Sequence, residues 1–274
     1  MNSKDFCVSV HLLNVRSLPM NPVLKVITLD RTPWRFEAFR RASPNIPVER
    51  ISACDGSRLN VAACARSGLF SGTLRYGAGA MGSAVSHISL WQDCAKGVVP
   101  FHIAEDDALI RDDFFKQAST ILNRRPGWDI VLWSYNYNWP VALRPASGTA
   151  PVVLNGPDGD PANIRSQKAE FQAGRREPVL LPLISAAGIG CYSISPQGAG
   201  KLLKACLPLA QKPARYALDA GTDWINGALD VEMSRHYEKL EAFLAFPPLA
   251  LMVNDETAST IRGRHRAEAE PVPA

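Results

Sequence analysis

The chain has 274 residues, of which 46% are hydrophobic and 20% are charged, and this composition excludes a disordered or fibrous protein. The formal net charge is +4, but the lysine and arginine residues are scattered, which argues against a nucleic-acid-binding protein. No run of about 18 apolar residues could span a membrane, and the N-terminus lacks the pattern of a signal peptide. We therefore expect a cytoplasmic protein with no transmembrane span. Its mild positive charge would also suit peripheral association with the inner face of an anionic membrane.

The cysteines favour reduced thiols in a cytosolic protein. No two of them form a C-x-x-C pair, and their spacing does not match a zinc site. A chain of this length buries a core large enough to be stable without disulfides. The predicted free thiols are Cys7, Cys54, Cys64, Cys94, Cys191 and Cys206.

The first predicted elements are typical of a parallel sheet covered by helices. Residues 1–23 form a short lead segment, and the β-branched run 25–29 predicts a strand. A helix is expected to begin at Pro33, with Thr32 as its N-cap. A second strand is predicted over residues 48–53. This strand-helix-strand order indicates a β-α-β unit, in which parallel strands carry helices on their faces.

The middle of the chain predicts a helix, two strands and a long insertion. Apolar side chains recur every three or four residues over 77–97, which predicts an amphipathic helix ending at Gly97. The apolar runs 98–104 and 128–133 are typical of buried strands. Residues 135–185 show no clear period and are rich in proline, glycine and serine, so we expect an irregular insertion there, functional or mobile, on the acceptor side of the domain.

The C-terminal part predicts further strands, two helices and a polar tail. Ser195 is the predicted N-cap of one helix. Asp223 is predicted to open another helix, which reaches about His236. The predicted strands cover residues 187–194, 243–246 and 249–253. Together these patterns predict a single α/β domain over residues 24–262, followed by a polar tail over 263–274.

Three consecutive carboxylates, Glu105, Asp106 and Asp107, follow the buried strand 98–104. Three like charges at this position repel one another unless something compensates them. Side chains alternate along a strand, so Glu105 and Asp107 are expected on the same face. Because ligands bind at the carboxyl ends of parallel strands, these two carboxylates could hold a divalent cation that bridges a diphosphate. The alternative is a solvated acidic turn.

Several short motifs occur in order over residues 24–262. They are residues 26–31 followed by Arg35, residues 53–56, residues 82–87 followed by Trp91, residues 105–107, residues 188–192 with 198–199 and 202–203, residues 222–223, and residues 259–261. This series resembles glycosyltransferase family 25, the lipopolysaccharide and lipooligosaccharide glycosyltransferases related to the collagen galactosyltransferases. Thr28, Ser83 and Ala104 depart from that pattern. The segment 135–185 does not align with it, which leaves the acceptor open.

The resemblance implies a GT-A-type, Rossmann-like nucleotide-sugar-binding fold, with a mainly parallel central sheet flanked by helices. It implies an inverting transfer of a hexose, galactose or glucose, from a UDP-sugar donor to a glycan, glycolipid or lipooligosaccharide acceptor. Mn²⁺ or Mg²⁺ on Glu105 and Asp107 would neutralise the diphosphate, and Asp223 would be the general base. The donor pocket would be lined by Leu29, Asp30, Arg31, Arg35, Asp55, Gly56, Ser86, His87 and Asp106.

Plainer interpretations exist for several of these residues. Asp223 could be a first-turn acid of a helix, and His87 a structural histidine. A nucleophilic dyad of Ser86 and His87 is disfavoured, because adjacent helical residues point in different directions. The alternating aromatics over 133–139 would suit either sugar stacking or a buried strand face. His265, in the polar tail, could close onto a metal.

Two other functions are compatible with the same patterns. One is a non-catalytic module of the same fold that holds a nucleotide sugar or a glycan. The other is a metal-dependent phosphohydrolase, which would require further carboxylates or histidines around two metals.

Overall fold

The computed structural model describes residues 22–136, 139–156, 161–216 and 219–253, with the backbone alone for residues 161, 214–216 and 219–225. The helices are α1 Pro33–Ala42, α2 Val61–Arg66, α3 Ala78–Lys96, α4 Phe114–Arg124, α5 Pro161–Ser166, α6 Lys168–Ala173, α7 Pro196–Cys206 and α8 Leu229–Ser234. The strands are β1 Leu24–Thr28, β2 Val48–Ser52, β3 Phe101–Glu105, β4 Ala108–Ile110, β5 Ile130–Leu132, β6 Val141–Leu143, β7 Val152–Leu154, β8 Val179–Ser185, β9 Cys191–Ile194, β10 Pro213–Tyr216, β11 Asp219–Ile225, β12 Ala242–Phe246 and β13 Ala250–Met252. Short 3₁₀ turns cover Gly56–Arg58 and Tyr237–Lys239. Most of the predicted lead segment, the predicted tail, the motif at 259–261 and His265 lie outside the described residues.

Nine strands of this described part form one mixed sheet, in the order β2-β1-β3-β9-β5-β12-β8-β6-β7. Strand β1 pairs in parallel with β2 and β3, and β5 pairs in parallel with β12. Strand β9 lies antiparallel between β3 and β5. Strand β8 is antiparallel to β12 and β6, and β7 is antiparallel to β6. Six strands therefore run in one direction and β9, β8 and β7 in the other. This confirms the predicted α/β fold with a mainly parallel sheet.

The core divides between the two faces of this sheet, because side chains alternate along each strand. On one face, α3 and α7 pack over Ile103 and Ile130. On the other face, α1 and α4 pack over Ala104 and Val131. Ile88 of α3 is 1% exposed, and burying a side chain of this size contributes about 1.5–3 kcal/mol. Helices therefore cover both faces, and the ends of the strands remain as the accessible edges.

The strand register brings several segments to one edge of the sheet, which we call the carboxyl edge. Thr28 ends β1 opposite Ser52 at the end of β2. Glu105 ends β3 and pairs with Ile27 of β1. Because β9 is antiparallel, it begins at this same edge, with Cys191. The loops that follow β1, β2 and β3 and the loop that precedes β9 therefore meet there.

The prediction of an irregular insertion over residues 135–185 is wrong. The segment contains β6, β7, α5, α6 and β8, and its strands form the far side of the sheet. Gln172 anchors it to the body, because its Nε2 donates to the carbonyl oxygens of Ala42 at 2.6 Å and Ile110 at 3.0 Å. These elements are three to seven residues long, so they are too short to produce a clear periodicity.

The helix predicted to start at Asp223 is also wrong. Asp223 lies within β11, which pairs antiparallel with β10, and the helix of this region begins only at Leu229. The Thr-Asp pair resembles a helix start, but hydrogen bonding to β10 in a hairpin overrides this local preference.

The helix caps follow the predictions in part. The Oγ of Ser195 accepts a hydrogen bond from Gly198 N at 2.9 Å, which confirms the predicted N-cap of α7. Thr32 precedes α1 as predicted, but its side chain does not cap that helix and donates to the Leu29 carbonyl at 3.4 Å. Gly97 ends α3 in an extended conformation, with a φ of −95°.

Candidate functional site

The acidic triplet forms a tight turn at the carboxyl edge. Glu105 is the last residue of β3, and Asp106 and Asp107 form the turn that leads into β4. The alternation expected of a strand therefore stops at Glu105 and does not set the directions of the two aspartates. The side chain of Asp106 is 7% exposed and that of Asp107 is 42% exposed. A solvated acidic turn therefore describes Asp107 alone.

Asp106 is held by two partners from the first β-α unit. Arg35 Nε and Nη2 lie 2.7 Å and 2.5 Å from Asp106 Oδ1, and Thr28 Oγ1 donates to Asp106 Oδ2 at 2.6 Å. The Arg35 side chain is only 12% exposed, so this ion pair is largely shielded from water. Removing one partner of such a pair leaves an uncompensated charge, which is strongly destabilising. Asp106 thus joins the acidic turn to α1, and Thr28 supplies a hydroxyl at a position where the resembled pattern differs.

A chain of hydrogen bonds lies behind Glu105. His87 Nε2 is 3.3 Å from Glu105 Oε1, and His87 Nδ1 is 2.9 Å from the hydroxyl of Tyr192. Trp91 Nε1 donates to that same hydroxyl at 2.8 Å. His87, Trp91 and Tyr192 are completely buried. This series of hydrogen bonds therefore reaches from the core between α3 and β9 to the carboxyl edge.

The chemistry of these groups decides which of them donates and which accepts in each hydrogen bond. An indole N–H can only donate, so the Tyr192 oxygen accepts from Trp91 and its own hydrogen is free for His87 Nδ1. A neutral His87 with Nδ1 as acceptor carries its proton on Nε2, which then donates to Glu105. The network thus assigns the Nε2–H tautomer to His87 and orients one oxygen of Glu105.

These contacts keep Glu105 ionised. Burial raises the pKa of Glu105, but hydrogen bonds from His87 and Ser83 and the charge of Arg35 outweigh burial, so its pKa is lowered. Glu105 therefore carries a negative charge at the carboxyl edge near neutral pH.

Asp107 has a weaker set of partners. Its Oδ2 lies 3.4 Å from Arg35 Nη2. Burial and the charge of Glu105 raise the pKa of Asp107 to about 7. Water at the exposed part of the side chain screens some of this repulsion. A cation between Glu105 and Asp107 would relieve it.

The carboxylates of Glu105 and Asp107 suit a hard cation whose remaining ligands come from the substrate. Carboxylate oxygens are the ligands that Mg²⁺ and Mn²⁺ prefer, and Mg²⁺ often uses one or two carboxylates together with phosphates and water. Within the described residues, no group of three or more histidine, cysteine, aspartate or glutamate side chains could hold a metal. Glu105 and Asp107 therefore suit a shared site with a diphosphate better than a closed protein cage.

The loops after β1 and β2 are joined by an exposed ion pair. Arg31 Nε donates to Asp55 Oδ2 at 3.0 Å, and the Arg31 side chain is 45% exposed. Asp55 Oδ1 accepts hydrogen bonds from the main-chain N–H and the hydroxyl of Ser57, and these lower the pKa of Asp55. The guanidinium of Arg31 therefore lies at the rim, accessible to an anionic ligand.

Leu29 and Asp30 follow β1 at the same rim. Leu29 contributes its carbonyl, which accepts a hydrogen bond from Thr32 N at 3.1 Å. Asp30 Oδ1 accepts from Arg50 Nη2 at 2.5 Å and from Ser52 Oγ at 2.9 Å, and it remains exposed. The structure thus places the predicted residues of this segment together at the carboxyl edge.

Two predicted donor-site residues act in packing. A Cβ on Gly56 would lie 1.6 Å from the carbonyl oxygen of Ala78, so a glycine lets the 3₁₀ turn touch α3. Ser86 Oγ accepts from Cys54 N at 2.8 Å and donates to the Gly82 carbonyl at 2.8 Å. The Ser86 hydroxyl is therefore hydrogen-bonded to main-chain groups, and His87 is hydrogen-bonded to Tyr192 and Glu105. This arrangement argues against a nucleophilic dyad of Ser86 and His87.

The aromatic run after β5 divides between core and edge. Trp133 is completely buried and donates to Ser193 Oγ at 2.6 Å, so it belongs to a buried strand face. Tyr135 is half-buried and packs against the core. The main-chain N–H of Asn136 donates to the Ala187 carbonyl at 2.9 Å, in the loop before β9. Residues 137–138 lie outside the described part.

The predicted base, Asp223, lies in β11, and its side chain is outside the described residues. Sequence reasoning missed a second carboxylate at the start of α8, Asp230. Asp230 Oδ2 accepts a hydrogen bond from the N–H of Gly188 at 2.9 Å. The one local signal for it was an acidic residue in the first turn of a helix, which also occurs in many purely structural helices.

Comparison with known proteins agrees with this geometry. Among the described residues, no helix combines the length and apolar character needed to cross a membrane. No curated protein gave a significant match to the chain. The model of glycosyltransferase family 25 (LPS biosynthesis protein) matches residues 23–219, which include the β-α-β unit, α3, the acidic turn and β9. The chain therefore belongs to glycosyltransferase family 25, the LPS biosynthesis glycosyltransferases.

Proposed function

We propose that this glycosyltransferase moves a hexose, galactose or glucose, from a UDP-sugar to a glycan or glycolipid acceptor such as a lipooligosaccharide. The acidic turn is the observation that carries the proposal. Arg35 neutralises Asp106 and Thr28 donates a hydrogen bond to it, whereas Glu105 and Asp107 keep carboxylate oxygens that such a donor can use through Mn²⁺ or Mg²⁺. We place this reaction in the cytoplasm, at the inner face of a membrane where a glycolipid acceptor would be found.

The cation would offset the charge of the diphosphate and of the departing UDP. The chain's own residues have separate tasks. Arg35 and His87 hold Asp106 and Glu105 in place, so the turn is formed before the donor binds. The guanidinium of Arg31, at the rim, offers charged N–H groups to the nucleotide. Inversion also needs a base on the face of the sugar opposite to UDP.

Ligand-dependent melting tests the donor and the cation together. At 100 times its Kd, a ligand stabilises the folded state by about 2.7 kcal/mol, which raises the Tm by about 5–10 °C for a domain of this size. We expect this rise with UDP plus Mn²⁺, and no comparable rise with UDP in excess chelator. Asp107→Asn should lose most of it. Asp93→Asn, an exposed change on the outer surface of α3, should retain it.

Equal stabilisation by UDP with and without the chelator would contradict the cation site. A second measurement, release of UDP from UDP-galactose and UDP-glucose, separates an enzyme from a non-catalytic binding module. A binding module would show the rise in Tm but no release of UDP. A phosphohydrolase is disfavoured, because the described residues contain no cluster for two metals.

A further inference from the structure

Contacts between segments that are distant in sequence place Asp230 beside the carboxyl edge. Its Oδ2 accepts the N–H of Gly188, and two residues later the carbonyl of Gly190 accepts the N–H of Glu105 at 2.9 Å. Gly188 has a φ of +91°, a conformation that favours glycine, so this short loop has a defined shape. Asp230 and the acidic turn are therefore tied to the same five-residue loop, 186–190.

The surroundings of Asp230 differ from those of the other carboxylates near the edge. Asp106 has Arg35, Glu105 has His87, and Asp55 has Arg31 as a cationic or N–H-bearing side-chain partner. Asp230 instead accepts from main-chain N–H groups, that of Gly188 at 2.9 Å and those of Val231 and Asp230 itself at the start of α8. Burial raises the pKa of Asp230, and the hydrogen bonds from the main-chain N–H groups of Gly188 and Val231 offset only part of this rise. A carboxylate with a raised pKa is a stronger base.

Resting on the hexosyl transfer proposed above, we propose that Asp230 is the general base that takes the proton from the acceptor hydroxyl. In this step the acceptor oxygen forms a bond to the anomeric carbon, while the bond from that carbon to the UDP oxygen breaks. The acceptor proton moves to the Asp230 carboxylate, and UDP departs with the bonding electron pair. The Gly188 N–H orients one Asp230 oxygen during this transfer.

Asp223 is the competing candidate, and the two residues make different predictions. Asp230 lies at the first turn of α8 and contacts the loop at the carboxyl edge. Asp223 lies in the β10–β11 hairpin. If Asp230 is the base, Asp223→Asn should retain most of the turnover that Asp230→Asn loses.

Azide provides a test that does not depend on knowing the natural acceptor. Water must lose a proton when it attacks the sugar, so UDP-sugar hydrolysis needs the base. Azide is an anion without a proton to lose, so its attack on the anomeric carbon does not. We expect Asp230→Asn to hydrolyse UDP-galactose or UDP-glucose about 10²–10⁴-fold more slowly than the unmodified protein, the range for loss of a general base. Formation of the glycosyl azide should fall less than threefold.

Three controls accompany this measurement in the full-length chain with Mn²⁺. The Kd for UDP, measured by calorimetry, should change less than threefold in Asp230→Asn, because the asparagine oxygen can still accept from Gly188. A Tm well above the assay temperature shows that each variant is folded during the measurement. Asp230→Glu, which keeps the carboxylate, should hydrolyse the donor faster than Asp230→Asn.

Each other outcome is decisive. Equal losses of hydrolysis and azide transfer would show that Asp230 only maintains the structure of the site, and would overturn the assignment. Hydrolysis by Asp230→Asn at the rate of the unmodified protein would overturn it as well, while leaving the proposed function intact. Failure of the unmodified protein to release UDP from either donor would refute the proposed function, and the assignment of a base with it.

Discussion

Two buried tyrosines provide a matched test of the hydrogen-bond chain behind Glu105. Tyr192 and Tyr237 are both completely buried. The Tyr192 hydroxyl bonds Trp91 and His87, whereas the Tyr237 hydroxyl has no hydrogen-bond partner among the described residues. A change to phenylalanine keeps each ring in place and removes only the hydroxyl. The difference between the two variants therefore isolates the polar network from the packing of the ring.

The expected magnitudes follow from the groups that each change leaves without a partner. Tyr192→Phe leaves two buried groups unsatisfied, Trp91 Nε1–H and His87 Nδ1, and each costs about 1–3 kcal/mol. We therefore expect the free energy of unfolding to fall by about 2–5 kcal/mol. Tyr237→Phe removes an unsatisfied buried hydroxyl, so its free energy of unfolding should stay within about 1 kcal/mol of the parent or rise.

Urea unfolding at neutral pH measures both variants, and equal m-values would show that their denatured states are comparable. The same proteins are then titrated with Mn²⁺ and UDP. Because His87 loses its orienting partner, Tyr192→Phe should weaken UDP binding in the presence of Mn²⁺, and Tyr237→Phe should not. A Tyr192→Phe variant as stable as Tyr237→Phe would refute the network and the tautomer assigned to His87.

Two further predictions concern stability. Gly82→Ala should destabilise the protein by more than about 1 kcal/mol in urea unfolding, because the new Cβ would lie 2.5 Å from the Cys54 carbonyl oxygen; Gly200→Ala, in a helix with open space around it, should instead stabilise it by about 0.5–1 kcal/mol. Burial lowers the pKa of His102 to about 4, so below pH 6.5 the unfolded chain binds a proton that the folded chain does not. Stability should thus fall by about 2 kcal/mol between pH 7.5 and pH 5, and His102→Gln should lack this part of the pH dependence; an unchanged slope would contradict it.

The local patterns of the sequence determined the order of most strands and helices, because burial on one face imposes a period that can be read directly. The strands β1, β2, β3 and β9 and the helices α1, α3 and α7 lie where the patterns predicted them. The acidic triplet was visible because three like charges after an apolar run need compensation. The short motifs led to the family, since their order reflects the β-α-β unit and the segments around it.

Only the tertiary structure decided how these segments act together. The direction of β9 and the pairing of residues 135–185 depend on strands distant in sequence, which no local period encodes. The three carboxylates look alike in sequence, but Arg35 neutralises one of them, His87 orients another, and Asp107 remains exposed. Asp230 lies more than a hundred residues from Glu105 along the chain, and the loop before β9 brings them to one edge. Function at this edge depends on distances between side chains, and the packing of the sheet and helices sets those distances.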